Sequence, residues 1–236
     1  MSLSHSPKVV TDGLVLYLDA ANQRSYPKSG TTWSDLAGTN DGTLNNMENN
    51  FDPANKGSLS FDGGDDYIQI NNAHTLINSL DITVCIWINQ NSIHSDATFN
   101  NSINLFEIPS VARIGEASSF YLTLRNSTVT FRYQRTVNAA QLSPSASQEI
   151  NIWRNYTGTS SSTGISLYKD GQFLGANSST NSFAAFDVNK NGVRLGSTGL
   201  YGKYYNGQIG LFQMYNRALT GDEVRQNYLA TRGRYK

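Results

Sequence analysis

The stretch Ile82-Thr83-Val84-Cys85-Ile86-Trp87-Ile88 decides the fold class. Successive side chains of a strand point to opposite faces, so Ile82, Val84, Ile86 and Ile88 share one face and Thr83, Cys85 and Trp87 the other. With apolar residues on both faces, the run reads as a central strand covered on each side. Upstream, Leu59-Ser60-Phe61 and Tyr67-Ile68-Gln69-Ile70 flank Asp62-Gly63-Gly64-Asp65-Asp66. They read as a hairpin whose glycines supply the positive φ of a tight turn. Downstream, residues 120–124 and 129–133 alternate around Asn126 and Ser127. Residues 165–168 and 173–174 flank Asp170-Gly171, the strongest two-residue hairpin signal in the chain. Residues 14–18, 193–196 and 204–215 add further strands. The one helix predicted is terminal: Thr220 and Glu223 have capping-box spacing, Val224, Tyr228 and Leu229 mark one face, and Gly233 closes it.

Roughly a dozen short strands, with no break in composition, give an all-β fold: two packed antiparallel sheets and one short C-terminal helix. The domain is expected over residues 12–236, behind an unpatterned N-terminal arm over residues 1–11. Residues 20–57 form a long loop, for which Tyr26, Trp33, Leu36 and Leu44 are the expected anchors.

Composition narrows function. Only 15% of the 236 residues are charged, against about 25% in ordinary soluble domains. In their place stand 26 Asn, 27 Ser and 19 Thr, which favour turns and caps over helices. Eighteen basic residues balance eighteen acidic ones, and no basic run occurs. Neither nucleic acid nor an anionic membrane is therefore an expected partner. No apolar stretch is long enough for membrane insertion, and residues 1–8 lack the apolar core of a secretory signal peptide. Zero net charge provides little self-repulsion, which permits a homo-oligomer.

Catalytic patterns are missing. Retaining glycoside hydrolysis needs two carboxylates about 5 Å apart, yet Glu48, Glu107, Glu116, Glu149 and Glu223 stand far apart in sequence. Only Glu223 has a carboxylate beside it, and helix capping explains it. His5, His74 and His94 lack an acid or nucleophile pattern, no Gly-x-Ser-x-Gly elbow occurs, and Cys85 sits in an apolar strand where a thiol is inert. The chain is not expected to be an enzyme.

Several segments together resemble a known family: residues 13–20 (GLVLYLDA), 60–68 (SFDGGDDYI), 82–88 (ITVCIWI), 167–172 (LYKDGQ), 193–196 (VRLG) and, most specifically, 206–224 (NGQIGLFQMYNRALTGDEV). The chain is similar to laminin-G-like domains of the concanavalin A-like lectin/glucanase superfamily, which implies a two-sheet antiparallel jelly-roll sandwich. That scaffold carries lectins, hydrolases, calcium-dependent pentraxin-like binders and adhesion modules, so function rests on sites. Residues 17–22 (YLDAAN), 25–27 (SYP) and 30–36 (GTTWSDL) further resemble structural proteins of marine bacteriophages. This implies a virion protein made in the host cytoplasm and displayed on the particle surface.

The resemblance also points to sites. Asp65-Asp66 align with a calcium-binding pair of pentraxin-like relatives, with Asp62 beside them. Those relatives complete the site with an acidic stretch after the Leu-Gly strand, whereas Leu195-Gly196 is followed here by Ser197-Thr198-Gly199. The aspartates thus read either as calcium ligands or as caps of a glycine turn. A second stretch, residues 187–192 (DVNKNG), begins like an EF-hand loop, but Thr198 stands where a bidentate Glu belongs; it reads as a strand-connecting turn. For a sugar, the tyrosine-rich loop 200–206 neighbours the Asp65-Asp66 turn in the family. One rim patch would then hold Tyr201, Tyr204, Asn206, Asp65 and Asp66, unless the tyrosines pack beneath their loop. The expected function is a non-catalytic module binding a host-surface glycan. The alternative is a purely structural virion protein whose partners are itself and other capsid or tail proteins.

Overall fold

The computed structural model describes residues 7–48, 50–54, 56–77, 79–97, 101–108, 119–134, 144–178, 192–198 and 202–235. Among these the strands are β1 (Leu14–Asp19), β2 (Thr32–Trp33), β3 (Gly42–Asn45), β4 (Phe51–Asp52), β5 (Ser58–Asp62), β6 (Tyr67–Ile70), β7 (Ile82–Gln90), β8 (Ile103–Ile108), β9 (Ser119–Arg125), β10 (Thr128–Gln134), β11 (Ser145–Ser147), β12 (Trp153–Ser161), β13 (Gly164–Lys169), β14 (Gln172–Ser178), β15 (Val193–Leu195), β16 (Ser197–Thr198), β17 (Lys203–Tyr204) and β18 (Asn206–Tyr215), followed by helix α1 (Gly221–Thr231). One sheet has the order β14-β13-β12-β7-β18-β5-β4, with β1 alongside β18 as well. The other runs β11-β10-β9-β8-β15-β6-β3-β2, and β16 and β17 form a two-stranded ribbon. Strand pairing within both sheets is antiparallel.

β7 occupies the centre of the first sheet, between β12 and β18, as its two apolar faces require. Ile82, Val84, Ile86 and Ile88 point into the core between the sheets, with Phe106, Phe120, Phe131 and Phe212. The opposite face meets the C-terminal segment. Trp87 stacks on Tyr235 and Tyr228, with ring centroids 4.3 and 5.7 Å away, and its Nε1 donates to Thr231 Oγ1 at 2.9 Å. Thr83 Oγ1 donates to the Arg217 carbonyl and accepts from the Leu219 amide. Burial pushes the Cys85 thiol up to about 11, which leaves it unreactive.

Helix α1 begins with the expected capping box between Thr220 and Glu223. Its inward face differs from the apolar pattern: Val224, Asn227 and Thr231 are buried, whereas Leu229 is half-buried. Asn227 is buried because every polar group is used. Its Oδ1 accepts from the Val10 amide, and its Nδ2 donates to the Tyr215 hydroxyl, which donates in turn to the Val10 carbonyl. Residues 8–10 of the N-terminal lead are thereby tied to the helix, with Gln226 Nε2 also donating to the Lys8 carbonyl.

The hairpins at Asp170-Gly171 and Asn126-Ser127 form as read, with positive φ at all four residues. The expected hairpin of residues 59–70 does not form. β5 pairs with β18 and β4 in one sheet, β6 with β3 and β15 in the other, so Gly63–Asp66 is a corner between layers. Leu59, Phe61, Ile68 and Ile70 all enter the same core; an alternating pattern serves either arrangement, and only the partner strands distinguish them. Residues 20–57, expected as one long loop, carry the short strands β2, β3 and β4, whose pairing no alternation of apolar residues marks; Trp33 on β2, Leu44 on β3 and Tyr26 are buried, and Leu36 is half-buried.

Candidate functional site

The corner after β5 is built by its own aspartates. Gly63 has a φ of +83°, and the Asp62 carboxylate turns back to accept from the Gly64 amide at 2.6 Å. Asp66 closes the corner from behind: its Oδ2 accepts from the Asp62 amide at 2.9 Å and from Asn50 Nδ2 at 3.0 Å. Burial pushes the Asp66 carboxyl above its ordinary range, and the neighbouring Asp62 and Asp65 charges push the same way. The hydrogen bonds from Asp62 and Asn50 oppose the shift. Asn50 Nδ2 also donates to the Ser60 carbonyl, and Asn46 Nδ2 to the Asp65 carbonyl. The loop before β4 is thus stitched to the corner.

Between loop and corner lies an open cavity of about 570 Å³. The register of β18 on β5 supplies one wall, setting Gln208 opposite Ser60. Asn206 Oδ1 accepts from Asn91 Nδ2 at 2.9 Å, which holds Asn91 at the mouth. The loop supplies Asn46, Glu48, Asn50 and the Phe51 ring, itself backed by Tyr26 at 5.9 Å. Among the described residues the lining holds the carboxylates of Glu48, Asp62, Asp65 and Asp66, with four side-chain amides and no Lys, Arg or His. Oxygens of Asp62, Asp65 and Asp66 lie within 4.8 Å of one another. Gln208, which lines the same cavity, has a buried Oε1 with no hydrogen-bond partner among the described residues. Carboxylates, amides and one apolar ring suit polyhydroxylated ligands or a hard cation.

The structure brings together Asp62, Asp65 and Asp66; Asn206 pairs opposite Asp62 but does not itself line the cavity. Tyr204 lies on β17, half-buried and paired with Ser197, and its side chain does not line the cavity. Tyr201 and residues 187–191 of the EF-hand-like stretch lie outside the described residues. Sequence reading missed Glu48, Asn50, Phe51 and Gln208. Glu48 in particular stands far from the aspartates in sequence, yet it lines the same cavity. Three other glutamates are engaged elsewhere: Glu107 by Asn104, Glu149 by Arg154 and Lys169, and Glu223 by Arg217.

A family model described as the concanavalin A-like lectin/glucanases superfamily matches residues 62–225. No curated protein matches the chain. Among solved structures, domain 4 of AbnA, an extracellular arabinanase from Geobacillus stearothermophilus solved with arabinotriose, superposes with a TM-score of 0.66 at 15% identity. The match covers 96% of this chain and 100% of that one. A mutant sialidase of Trypanosoma rangeli displaying trans-sialidase activity gives 0.66 at 19% identity, over 97% of this chain and 34% of that. The receptor-binding domain of a botulinum neurotoxin C/D mosaic serotype gives 0.64 at 15%, over 94% and 52%. The chain thus spans about a third of the sialidase and about half of the toxin chain. These likenesses are of fold.

Proposed function

The chain belongs to the concanavalin A-like lectin/glucanases superfamily, and on that premise we propose that it is a non-catalytic glycan-binding module whose site is the cavity between Phe51 and the Asp62–Asp66 corner. The observation that carries this reading is the lining itself: four carboxylates and four amides around one accessible ring, the chemistry that receives sugar hydroxyls and one apolar sugar face. With four carboxylates and no cationic side chain among the described residues of the wall, the cavity favours neutral sugars over sialylated or uronic ones. The arabinotriose-bound arabinanase domain and the toxin receptor-binding domain lend the fold a precedent. The non-catalytic reading is supported by Asp66, which is buried and spends Oδ2 on the fold, and by Glu107, Glu149 and Glu223, committed to other contacts.

The same donors fit calcium. Asp62, Asp65 and Asp66 would hold it, hard oxygens within reach of one another. A bound calcium would supply a positive centre for sugar hydroxyls. Display on a bacteriophage surface completes the proposal, supported by the resemblance of residues 17–36 to phage structural proteins; immunogold microscopy of native particles tests it.

A glycan array, run with calcium and with chelator, tests the site. Neutral glycans are expected to bind, and Asp65→Ala to weaken binding about tenfold or more. A silent array under both conditions, or retention confined to sialylated glycans, would reject the reading. Calorimetric titration of calcium into chelator-treated protein is expected to give heat that Asp65→Ala abolishes. No heat and no rise in Tm at millimolar calcium would end the metal part.

A further inference from the structure

The first sheet ends on one side at β14, whose seven residues pair only with β13 among the described residues. Proteins normally shorten, charge or cover such an edge, because its unpaired N–H and C=O groups template another strand. The other edges follow that rule. β4 and β2 have two residues each and β11 three, while β1 is covered where Asp35 accepts from the Tyr17 amide and the Leu36 amide donates to the Tyr17 carbonyl. β14 differs. Six of its seven residues are exposed, and Gly171–Ser178 contains neither charge nor proline. A bulge at Leu174 leaves Leu174 43% and Phe173 60% exposed, the Phe173 ring resting edge-on against Tyr168.

We propose that β14 is a homodimer interface, pairing antiparallel with β14 of a second copy so that the two first sheets become one. A second copy is the occupant these features fit. Two identical antiparallel strands are self-complementary about a two-fold axis, so each copy supplies the edge the other needs. Charge agrees: net charge is zero, and the ions beside the hairpin cancel within each copy, Arg154 pairing with Glu149 and Asp170, and Lys169 with Glu149. No like-charge barrier opposes approach. The geometry has a functional consequence. The cavity lies beside β5, near the opposite edge of the sheet, so a dimer presents two cavities facing outward, up to about 50 Å apart at the usual strand spacing. Such a dimer would engage a multivalent surface with avidity.

Sedimentation velocity and hydrogen exchange on the full chain test this without any ligand. Wild type is expected to sediment at twice the 26.0 kDa monomer mass as concentration rises toward about 200 μM. Amides of residues 172–178 should gain protection over the same range. Leu174→Lys, which brings a lysine from each copy into the new pair, is expected to weaken association at least about tenfold, with Tm unchanged at dilutions where both proteins are monomers. Thr43→Lys, on an exposed position of the second sheet, should leave it intact. A monomer at every concentration, or a dimer that survives Leu174→Lys without added protection of residues 172–178, overturns the proposal, whichever way the glycan array turns out.

Discussion

Asp66 ties the corner to the cavity: one carboxylate oxygen serves the Asp62 amide and Asn50, while the residue is only 2% exposed. Asp66→Ala would leave both donors without their acceptor, a loss worth about 1–3 kcal/mol for buried groups, to be read from urea unfolding at neutral pH. Unchanged stability would show that solvent replaces the carboxylate. Asp66→Asn separates charge from hydrogen bonding. Because burial raises the folded-state value above the usual 3.8, the folded protein binds the proton more tightly, and the ionised group costs stability at neutral pH. That cost fades as pH falls through the raised value and is gone below 3.8. Wild type should therefore gain on Asp66→Asn as the pH is lowered through this window, and a constant difference in Tm would contradict the assignment. Asp62, Asp65 and Asp66 were legible in sequence because acids alternating with glycines form a local pattern. Glu48, Asn50, Phe51 and Gln208 were not, since strand register and the path of the loop bring them to the corner, and neither has a short-range signature.

The terminal helix shows the same division. Its start was legible because capping is local: Thr220 Oγ1 accepts from the Glu223 amide while the Glu223 carboxylate accepts from the Thr220 amide. Its buried face was not, because Asn227 and Thr231 are inward only through partners far away in sequence, at Val10 and Trp87. The cap is also joined to the rest of the domain by charge. Arg217 grips Glu223 with Nη1 and Nη2 at 2.9 and 2.6 Å, and this contact foremost holds the Glu223 carboxyl down at about 2. A depressed value stabilises above the ordinary 4.5 and is lost as pH falls through about 2. Glu223→Gln keeps the capping shape and removes the charge, so it is expected to cost up to about 1 kcal/mol at pH 7, the scale of a partly exposed ion pair. The gap should close between pH 4.5 and 2. Urea unfolding at both ends of that range checks it; equal gaps would mean that Arg217 contributes nothing through charge.

At the scale of the whole molecule, two layers follow from alternating strands and a twice-apolar β7, but which strand joins which layer does not. β5 and β6 show why: both alternate, both bury their apolar face, and only pairing with β18 or with β3 assigns them to opposite sheets. The corner, in place of the expected hairpin, borders the cavity at the rim, so the proposed site and the illegible feature lie together. How closely the layers approach is likewise set by residues that no periodicity marks. At Gly158 in β12 a Cβ would stand 2.4 Å from the Phe131 ring of β10, inside contact distance. Phe131 is fully buried and stacked near Phe120, so the ring has little room to yield. Gly158→Ala is therefore expected to overpack the core by about 1–3 kcal/mol, seen as a lower midpoint in urea and a lower Tm. Two strands, β7 and β18, separate β12 from the cavity wall at β5, so calcium and glycan affinity, measured below the lowered Tm, should match wild type. A variant that binds normally but melts early would confirm that spacing between layers and chemistry at the rim are independent. Weakened binding in a still-folded variant would instead mean that the layers transmit strain across the sheet to the corner.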